Sequence, residues 1–170
     1  VSSGAVDEKE AVMGSYACRS DENENGSGPS SGADKECLCP AGKFTSADAQ
    51  SSCTTAGQGK DTVDAANVAT SSGAVGEKQA VKGSYACMSD ENEDGSGPSS
   101  GADKECLCPA GKFTSADAQS SCTTAGQGKY TVDAANVATS SGAVGEKAAT
   151  NGHYTVDTSG NAVSSGAVDE

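Results

Sequence analysis

The amino-acid sequence predicts a small, disulfide-rich, mainly β fold in which tandem short hairpin modules follow one another along an elongated rod. Three observations favour it: near-identical internal repeats, eight regularly spaced cysteines and a shortage of large apolar side chains. The chain has 13 Val, 2 Leu and 2 Phe among 170 residues, and no Ile or Trp. These 17 residues are 10% of the chain. A highly charged chain with less than ~20% of such residues does not normally form a central core. We therefore expect small local cores held by other means.

The repeats are tandem copies. Residues 2–69 recur at 71–138 with 62 of 68 positions identical, and residues 163–170 repeat the opening letters VSSGAVDE. The six differences are Asp7/Gly76, Glu10/Gln79, Met13/Lys82, Arg19/Met88, Asn25/Asp94 and Asp61/Tyr130. We divide the chain into repeat blocks 1–69 and 70–138, a short Cys-free module at 139–162, and the start of another copy at 163–170. The chain is expected to be a slice of a longer array.

A finer unit, which we call a module, begins with a leading glycine followed by any residue and usually an aromatic one. The leading glycines are Gly14, Gly42, Gly59, Gly83, Gly111, Gly128 and Gly152. The alternation in GKYTVD and GHYTVD is typical of a strand, and Gly-rich segments such as SSGAVG separate the strands. A short helix over residues 8–13 is the alternative there, but Gly76 in the second copy disfavours it. We expect short hairpins and loops throughout.

The cysteines of each block are spaced C-x18-C-x-C-x13-C, at Cys18, Cys37, Cys39 and Cys53, and at Cys87, Cys106, Cys108 and Cys122. Neighbours two apart, such as Cys37 and Cys39, are badly placed for a bridge. Of the two remaining pairings, sequence proximity favours Cys18 with Cys37 and Cys39 with Cys53, each contributing about 3 kcal/mol. A tetrathiolate zinc site is the alternative, but structural zinc usually shows C-x2-C pairs. Disulfides predict an oxidising compartment.

The stretch CPAGKFTSADAQSSC occurs at residues 39–53 and 108–122. Its C-P-x-G-x-[YF] motif, closed by a Cys, resembles the first submodule of tumour necrosis factor receptor cysteine-rich domains and the related ephrin-receptor-like cysteine-rich repeats. The resemblance implies that the two cysteines of each stretch bridge each other, with the aromatic residue nearby. Similar motifs occur in repetitive surface glycoproteins of algae and other protists, including mastigonemes on flagella. The resemblance therefore implies an extracellular rod more than a receptor.

Two acidic loops suggest calcium. Asp21, Asn23 and Asn25 precede Gly26, and Asp90, Asn92 and Asp94 precede Gly95, in the D-x-N-x-[DN]-G pattern that opens calcium loops. The closing bidentate Glu of such loops is absent, so a solvated acidic turn is the alternative. If calcium binds, we expect the second loop to bind it more tightly, because Asp94 adds a charge. No organic cofactor is expected.

Asn25 also begins the N-glycosylation sequon Asn-Gly-Ser, which its counterpart Asp94 lacks. A glycan and a cation ligand at Asn25 exclude each other. The recurring Thr-Ser-Ser and Pro-Ser-Ser clusters are typical of O-glycosylated segments.

The charge and composition argue against several functions. With a net charge of −13, the chain should repel nucleic acid and anionic membranes, and no run is long and apolar enough to insert into a bilayer. His153 is the only histidine and has no partners for acid–base catalysis, so no enzymatic activity or catalytic residue is expected.

The sequence therefore favours a structural component of an extracellular fibril or surface appendage, whose partners are copies of itself along a fibre and glycans. The alternative is the stalk of a cell-surface adhesin or receptor-like binding protein whose head lies elsewhere. A disordered acidic linker is a third reading.

Overall fold

The computed structural model describes residues 7–21, 23–91 and 93–170. The start of the first repeat block, residues 1–6, lies outside the described residues. All regular elements in the described ranges are β-strands. The segment at residues 8–12 forms no helix and leads into a turn at Met13. The prediction of a small disulfide-rich fold of tandem hairpins is confirmed.

Twelve strands of the described chain pair into six antiparallel hairpins, each made of two strands close in sequence. The hairpins are β1 (Ser15–Cys18) with β2 (Lys35–Leu38), β3 (Lys43–Phe44) with β4 (Thr54–Thr55), β5 (Lys60–Val63) with β6 (Gly76–Gln79), β7 (Ser84–Cys87) with β8 (Lys104–Leu107), β9 (Lys112–Phe113) with β10 (Thr123–Thr124), and β11 (Lys129–Val132) with β12 (Gly145–Ala148). In the last module, Val156 bridges Ala162 and Asp169.

One register is common to all six hairpins. The residue after each leading glycine lies opposite the residue four positions before the next leading glycine, as in Ser15 with Leu38 and Lys43 with Thr55. The same rule holds for Lys60 with Gln79. Each module is therefore one hairpin, and modules differ in the length of the segment between their two strands.

The leading glycines are required by backbone conformation. All seven have φ between 67° and 90°, the left-handed region in which a side chain is strained. The turn at Gly14 reverses the chain just before β1. Each module thus begins with a glycine because the turn before its first strand requires a positive φ.

The buried apolar residues form several small clusters. One contains Tyr16 with the bridged Cys18, Cys37 and Cys39, and the second block repeats it around Tyr85. Another joins Ala80, Ala86 and Ala102, and a fourth is centred on Tyr130 and Val132. The sequence therefore builds local cores, with cysteines and tyrosines in place of the missing aliphatic side chains.

The modules follow one another in file. Contacts link a module to the next one, as the parallel bridges Phe44–Ala74 and Asp61–Ala102 show, and to the one after it, as the close approach of Gly14 to Gly73 shows. The accessible surface is 9271 Å². A compact protein of this mass would expose about 7,600 Å². The excess is what an elongated arrangement of small units produces.

Candidate functional site

The disulfides hold the base of each 28-residue module. Cys18 is bridged to Cys37 and Cys39 to Cys53, with Cα separations of 6.0 and 5.8 Å. The second block repeats the pattern in Cys87–Cys106 and Cys108–Cys122. Tyr16 lies fully buried among them, and its hydroxyl accepts a hydrogen bond from Gly26 N at 3.2 Å. The bridges therefore fix both ends of the acidic loop.

The first acidic loop places its oxygen atoms at the surface. Asp21, Asn23 and Asn25 are all exposed, and Asn25 Oδ1 accepts a hydrogen bond from Ser27 N at 2.9 Å. Glu24, between the two asparagines, is 2.6 Å from Lys35 Nζ, and this hydrogen bond raises the pKa of Lys35. The structure brings the three predicted ligands onto one loop, with one amide oxygen already engaged in an Asx-turn.

The second loop has the same local geometry. Asp90 is exposed, Asp94 Oδ1 accepts from Ser96 N at 2.9 Å, and Glu93 pairs with Lys104. The predicted ligand Asn92 lies outside the described residues. In the described part of the chain, no group of three His, Cys, Asp or Glu side chains is arranged to hold a metal. The described carboxylates of these loops therefore do not converge as a preformed cage would.

A recurring contact between modules was not foreseen from the sequence. It joins five of the seven leading glycines to a docking residue, which we define as the residue ten positions before a later leading glycine; Gly166 is its equivalent in the last SSGAV segment. A Cβ built on the glycine would lie far too close to the docking residue's carbonyl oxygen: 2.3 Å for Gly14 and Gly73, 1.8 Å for Gly42 and Gly101, 1.8 Å for Gly59 and Ala118, 2.4 Å for Gly83 and Gly142, and 1.9 Å for Gly111 and Gly166. Only glycine permits this approach.

Backbone hydrogen bonds accompany the contact. The third residue after a leading glycine donates its N–H to the backbone carbonyl of the residue that follows a docking residue. These bonds are 2.9 to 3.2 Å long and join Ala17 to Gln50, Thr45 to Ala74, Thr62 to Ala102, Ala86 to Gln119, Thr114 to Ala143 and Thr131 to Ala167. The docking residue also donates its own N–H to an earlier module, as Gly73 does to Cys39 O at 2.9 Å. Successive modules are therefore joined by main-chain groups that do not depend on side-chain identity.

Asp61, the second residue after the leading glycine Gly59, differs from its counterparts in the other modules. It stands where most other modules have Tyr or Phe, it is fully buried, and neither carboxylate oxygen has a hydrogen-bond partner. Burial raises the pKa of Asp61; Lys78 opposes this effect, and Glu105 and Asp103 add to it. Lys78 is directly opposite on β6 and is paired with Glu105 at 3.1 Å. An uncompensated carboxylate therefore lies between the third and fourth modules.

Its counterpart Tyr130 is accommodated differently. Tyr130 is 4% exposed, lies opposite Lys147, and has the Lys147 ammonium 5.7 Å from its ring centroid. This is within the range of a cation–π contact. The apolar ring thus fills the position that Asp61 occupies with charge.

Ion pairs support the hairpins that lack disulfides. Glu77 pairs with Lys60 and accepts from Gly57 N at 2.8 Å. Burial opposes the ionisation of Glu77, but the two hydrogen bonds hold its pKa below the usual value. Glu146 repeats the arrangement with Lys129 and Gly126, which lower its pKa. These carboxylates are structural anchors for a glycine turn.

Comparison of the chain with protein-family models, with curated proteins and with solved structures gave no match. No helix in the described ranges is long and apolar enough to cross a bilayer. The four disulfides are consistent with a secreted or extracellular protein.

The sequence did carry a signal for the docking residues. The dipeptide Gly-Ala recurs ten and nine positions before a leading glycine at Gly32, Gly73, Gly101 and Gly142, with Ala-Gln at Ala49 and Ala118. The interpretation of SSGAVG as a mere separator between strands missed this function. A constant offset counted backward from the next module would have identified it.

Proposed function

We propose that the chain is a non-enzymatic structural component of an extracellular fibril or surface appendage. The observation that carries the proposal is the recurrent main-chain contact between successive modules, which links hairpins in file without a central core. Cys18–Cys37 and Cys87–Cys106 close the modules that contain the longest loops, and Cys39–Cys53 and Cys108–Cys122 join each of these modules to the next one. The resemblance to cysteine-rich repeats of surface glycoproteins supports the same conclusion.

Shape and location test this proposal. Small-angle scattering of the chain with its bridges intact should give a radius of gyration well above the about 15 Å of a compact protein of this length. Antibodies against the chain should label extracellular filaments on the source cells in electron micrographs. A compact radius or intracellular labelling contradicts the proposal. Labelling confined to the base of a distinct terminal head would favour the adhesin stalk instead.

We further propose that calcium stiffens the array through the side-chain oxygens of Asp21, Asn23 and Asn25, and of Asp90, Asn92 and Asp94. Exposed, incomplete loops of this kind should have dissociation constants on the order of 0.1 to 1 mM. Titration calorimetry should show weak binding that Asp21→Asn and Asp90→Asn reduce, with Glu8→Gln, an exposed change outside the loops, as the control. A chelator that changes neither melting temperature nor protease resistance would assign both loops to acidic turns.

Asn25 is proposed as an N-glycosylation site. Its side chain is exposed on the turn Asn25–Ser27. Intact-mass measurement before and after enzymatic deglycosylation of protein from its native source should show one glycan, which Asn25→Gln abolishes. A glycan at Asn25 would leave calcium to the second loop, whose Asp94 carries no sequon.

A further inference from the structure

A buried acid faces a lysine at the junction of the two repeat blocks. Asp61 on β5 lies directly opposite Lys78 on β6, so the two side chains extend from the same face of the hairpin. The Cβ atoms of residues paired in this way lie about 4.5–5.5 Å apart, a gap that the flexible four-carbon stem of a lysine spans. Asp61 is 0% exposed, and within the described ranges neither of its carboxyl oxygens has a hydrogen-bond partner. Its carboxyl carbon therefore lies within reach of the Lys78 side chain and away from water.

The fourth module places a second carboxylate on the lysine. Glu105 Oε2, on β8, lies 3.1 Å from Lys78 Nζ. The side chain of Glu105 is held in place because its other oxygen accepts a hydrogen bond from Val81 N at 2.9 Å. Lys78 thus lies beside two carboxyl groups, one hydrogen-bonded to its amine and one without a partner.

The charge around Asp61 favours its neutral form. Burial raises the pKa of Asp61, and the ammonium of Lys78 opposes this increase. The carboxylates of Glu105 and Asp103 raise the pKa further. A neutral carboxylic acid accepts a nucleophile at its carboxyl carbon far more readily than a carboxylate does. Asp61 is therefore suited to react with an amine.

The neighbouring ion pair of the same hairpin lacks this property. Glu77 is paired with Lys60. Burial opposes the ionisation of Glu77, but the hydrogen bonds from Lys60 and from Gly57 N hold its pKa below the usual value. Glu77 therefore stays a carboxylate, and contact between a lysine and a carboxyl group is not sufficient for a reaction.

We propose that Lys78 and Asp61 form an isopeptide bond within the chain, with Glu105 as the catalytic base. Glu105 takes one proton from the Lys78 ammonium, and the lone pair of the amine nitrogen then attacks the Asp61 carboxyl carbon. The C–N bond forms, a second proton passes from the nitrogen through Glu105 to the departing hydroxyl, and the C–O bond breaks to release water. Glu105, which is partly exposed, returns the first proton to solvent. The overall change is one amide formed, with one water and one proton released.

The position of the two groups favours the amide over its hydrolysis. Reacting groups that one molecule holds in the right geometry reach effective molarities of about 10⁵–10⁸ M. Burial of Asp61 excludes the water that would reverse the reaction, and the amide removes an unpartnered buried acid. The hydrogen bond to Glu105 raises the pKa of Lys78, so the neutral amine is a minor species and the bond forms slowly. Until it forms, Asp61 affects stability and its pH dependence as a free buried acid.

The bond supplies a covalent link that the β5–β6 hairpin otherwise lacks. The β1–β2 and β7–β8 hairpins each have a disulfide between their strands, Cys18–Cys37 and Cys87–Cys106. The β5–β6 hairpin contains no cysteine. An amide between Asp61 and Lys78 closes this hairpin at the junction of the blocks. The proposal goes beyond the structural role proposed above, and it holds or fails independently of the location and shape of the array.

The second block provides an internal control. Tyr130 stands in place of Asp61, opposite Lys147, and the Lys147 ammonium lies 5.7 Å from the ring centroid. Lys147 therefore has no carboxyl group directly opposite it and should keep a free amine. Trypsin cleaves after lysines with free amines, so it should cut the chain after Lys147 but not after Lys78.

Mass spectrometry of the whole oxidised chain, incubated at neutral pH after purification, tests the proposal. The wild type should lose the mass of one water. The tryptic peptide 61–82 should yield no fragments from breaks between residues 61 and 78, because both residues belong to one ring. Asp61→Tyr, which installs the residue of the second block, and Lys78→Arg should both abolish the loss of water.

The role of Glu105 has its own matched pair of variants. Glu105→Gln should slow the loss of water about hundredfold, as expected when a catalytic base is removed. Glu36→Gln, at the counterpart position in the first block, should not change the rate. Glu36 accepts a hydrogen bond from Val12 N just as Glu105 does from Val81 N, so the two changes are structurally equivalent.

Each outcome decides the proposal. An unchanged mass after prolonged incubation overturns it, as does a loss of water that persists in Asp61→Tyr or Lys78→Arg. A loss located at Asp94–Gly95 also overturns it, because it would be a succinimide formed by the Gly95 nitrogen. Equal rates in Glu105→Gln and Glu36→Gln overturn the assignment of the base. A ring that joins residues 61 and 78, with slowing confined to Glu105→Gln, supports the proposal.

Discussion

The module at residues 14–41 and its counterpart at 83–110 have nearly the same sequence but different environments. Ala33 and Asp34 are exposed in the first, whereas Ala102 and Asp103 are 1% and 2% exposed in the second. The difference arises because strand β5 lies against Ala102, and nothing in the described chain occupies the same place beside Ala33. Burial in this molecule is therefore supplied by the neighbouring module, so nearly identical modules are buried to different extents according to their position.

The second difference between the blocks is in sequence. The third module has Asp61 where the sixth has Tyr130, and both positions are buried. One interface thus contains an unpartnered carboxylate, and the other contains an aromatic ring with a cation. The junction between blocks should be the weak point of the array, and four predictions test these two comparisons.

The largest effect is expected from removing a disulfide. Cys18→Ala with Cys37→Ala, or Cys87→Ala with Cys106→Ala, should each lower the free energy of unfolding by about 3 kcal/mol, because the unfolded chain regains the entropy of a closed loop. Hydrogen exchange should then accelerate more in β1–β2 than in β7–β8, since neighbours hold the second hairpin on both sides. Equal acceleration in the two hairpins would contradict the role assigned to neighbouring modules.

Exchanging the residues at the two interfaces should change stability in opposite directions. Asp61→Tyr should raise the free energy of unfolding by about 1–3 kcal/mol, because it removes a buried unsatisfied group and restores a ring opposite Lys78. Tyr130→Asp should lower it by a similar amount. Chemical denaturation of both variants measures the effect. A loss of stability in Asp61→Tyr would show that the third interface cannot hold a ring.

The Asp61 effect should depend on pH. Because burial raises the pKa of folded Asp61 above its ordinary 3.8, the unfolded state loses this proton first as pH rises, and the native state becomes less stable through the window that begins near that value. Carboxylates such as Glu77, with a lowered pKa, act oppositely as pH falls. The difference between Asp61→Tyr and wild type isolates the Asp61 contribution and should grow with pH. A constant difference from about pH 3 to about pH 8 would contradict it.

The smallest effect is expected at a pair of identical aspartates. Asp103 accepts hydrogen bonds from Ser89 N at 2.8 Å and from Ser89 Oγ at 2.9 Å in a buried position. Asp34 makes the same bonds with Ser20 at the surface, and they lower its pKa. Asp103→Asn should cost about 1 kcal/mol, and Asp34→Asn should cost less, since water can replace its partner. Thermal unfolding of the two variants would show equal shifts if position had no effect.

Much of the hairpin architecture could be predicted from the sequence. The alternation in GKYTVD marks β11, where Tyr130 and Val132 are buried, and the spacing of Cys37 and Cys39 limits the disulfides to few pairings. These signals are local, so they do not depend on which module lies beside them. The burial of Asp61 could not be predicted because an acidic residue after Gly-Lys is ordinarily solvated, and only the packing of the fourth module excludes water there.

The acidic loops illustrate a different limit. Asp21, Asn23 and Asn25 are spaced two residues apart, as calcium ligands are, but this spacing does not determine where their side chains point. In the structure, Asn25 turns back on Ser27 and Glu24 pairs with Lys35, two contacts that depend on the hairpin register. The spacing of these residues therefore predicts the loop but not the contacts of its side chains.

The common hairpin register has a consequence for how such a chain can vary. The first strand of each hairpin lies at a fixed distance after its own leading glycine. The second strand and the docking residue lie at fixed distances before the next leading glycine. The segment between these two frames, which in the first module includes residues 19–25, is not fixed by either count, whereas Gly26 and Gly28 after it are held by main-chain hydrogen bonds to Cys53 and Ser51. Its length and chemistry can change while the main-chain contacts stay in place. The array thus separates the parts that hold it together from the parts it displays, and the acidic loop and the sequon at Asn25 both belong to the displayed part.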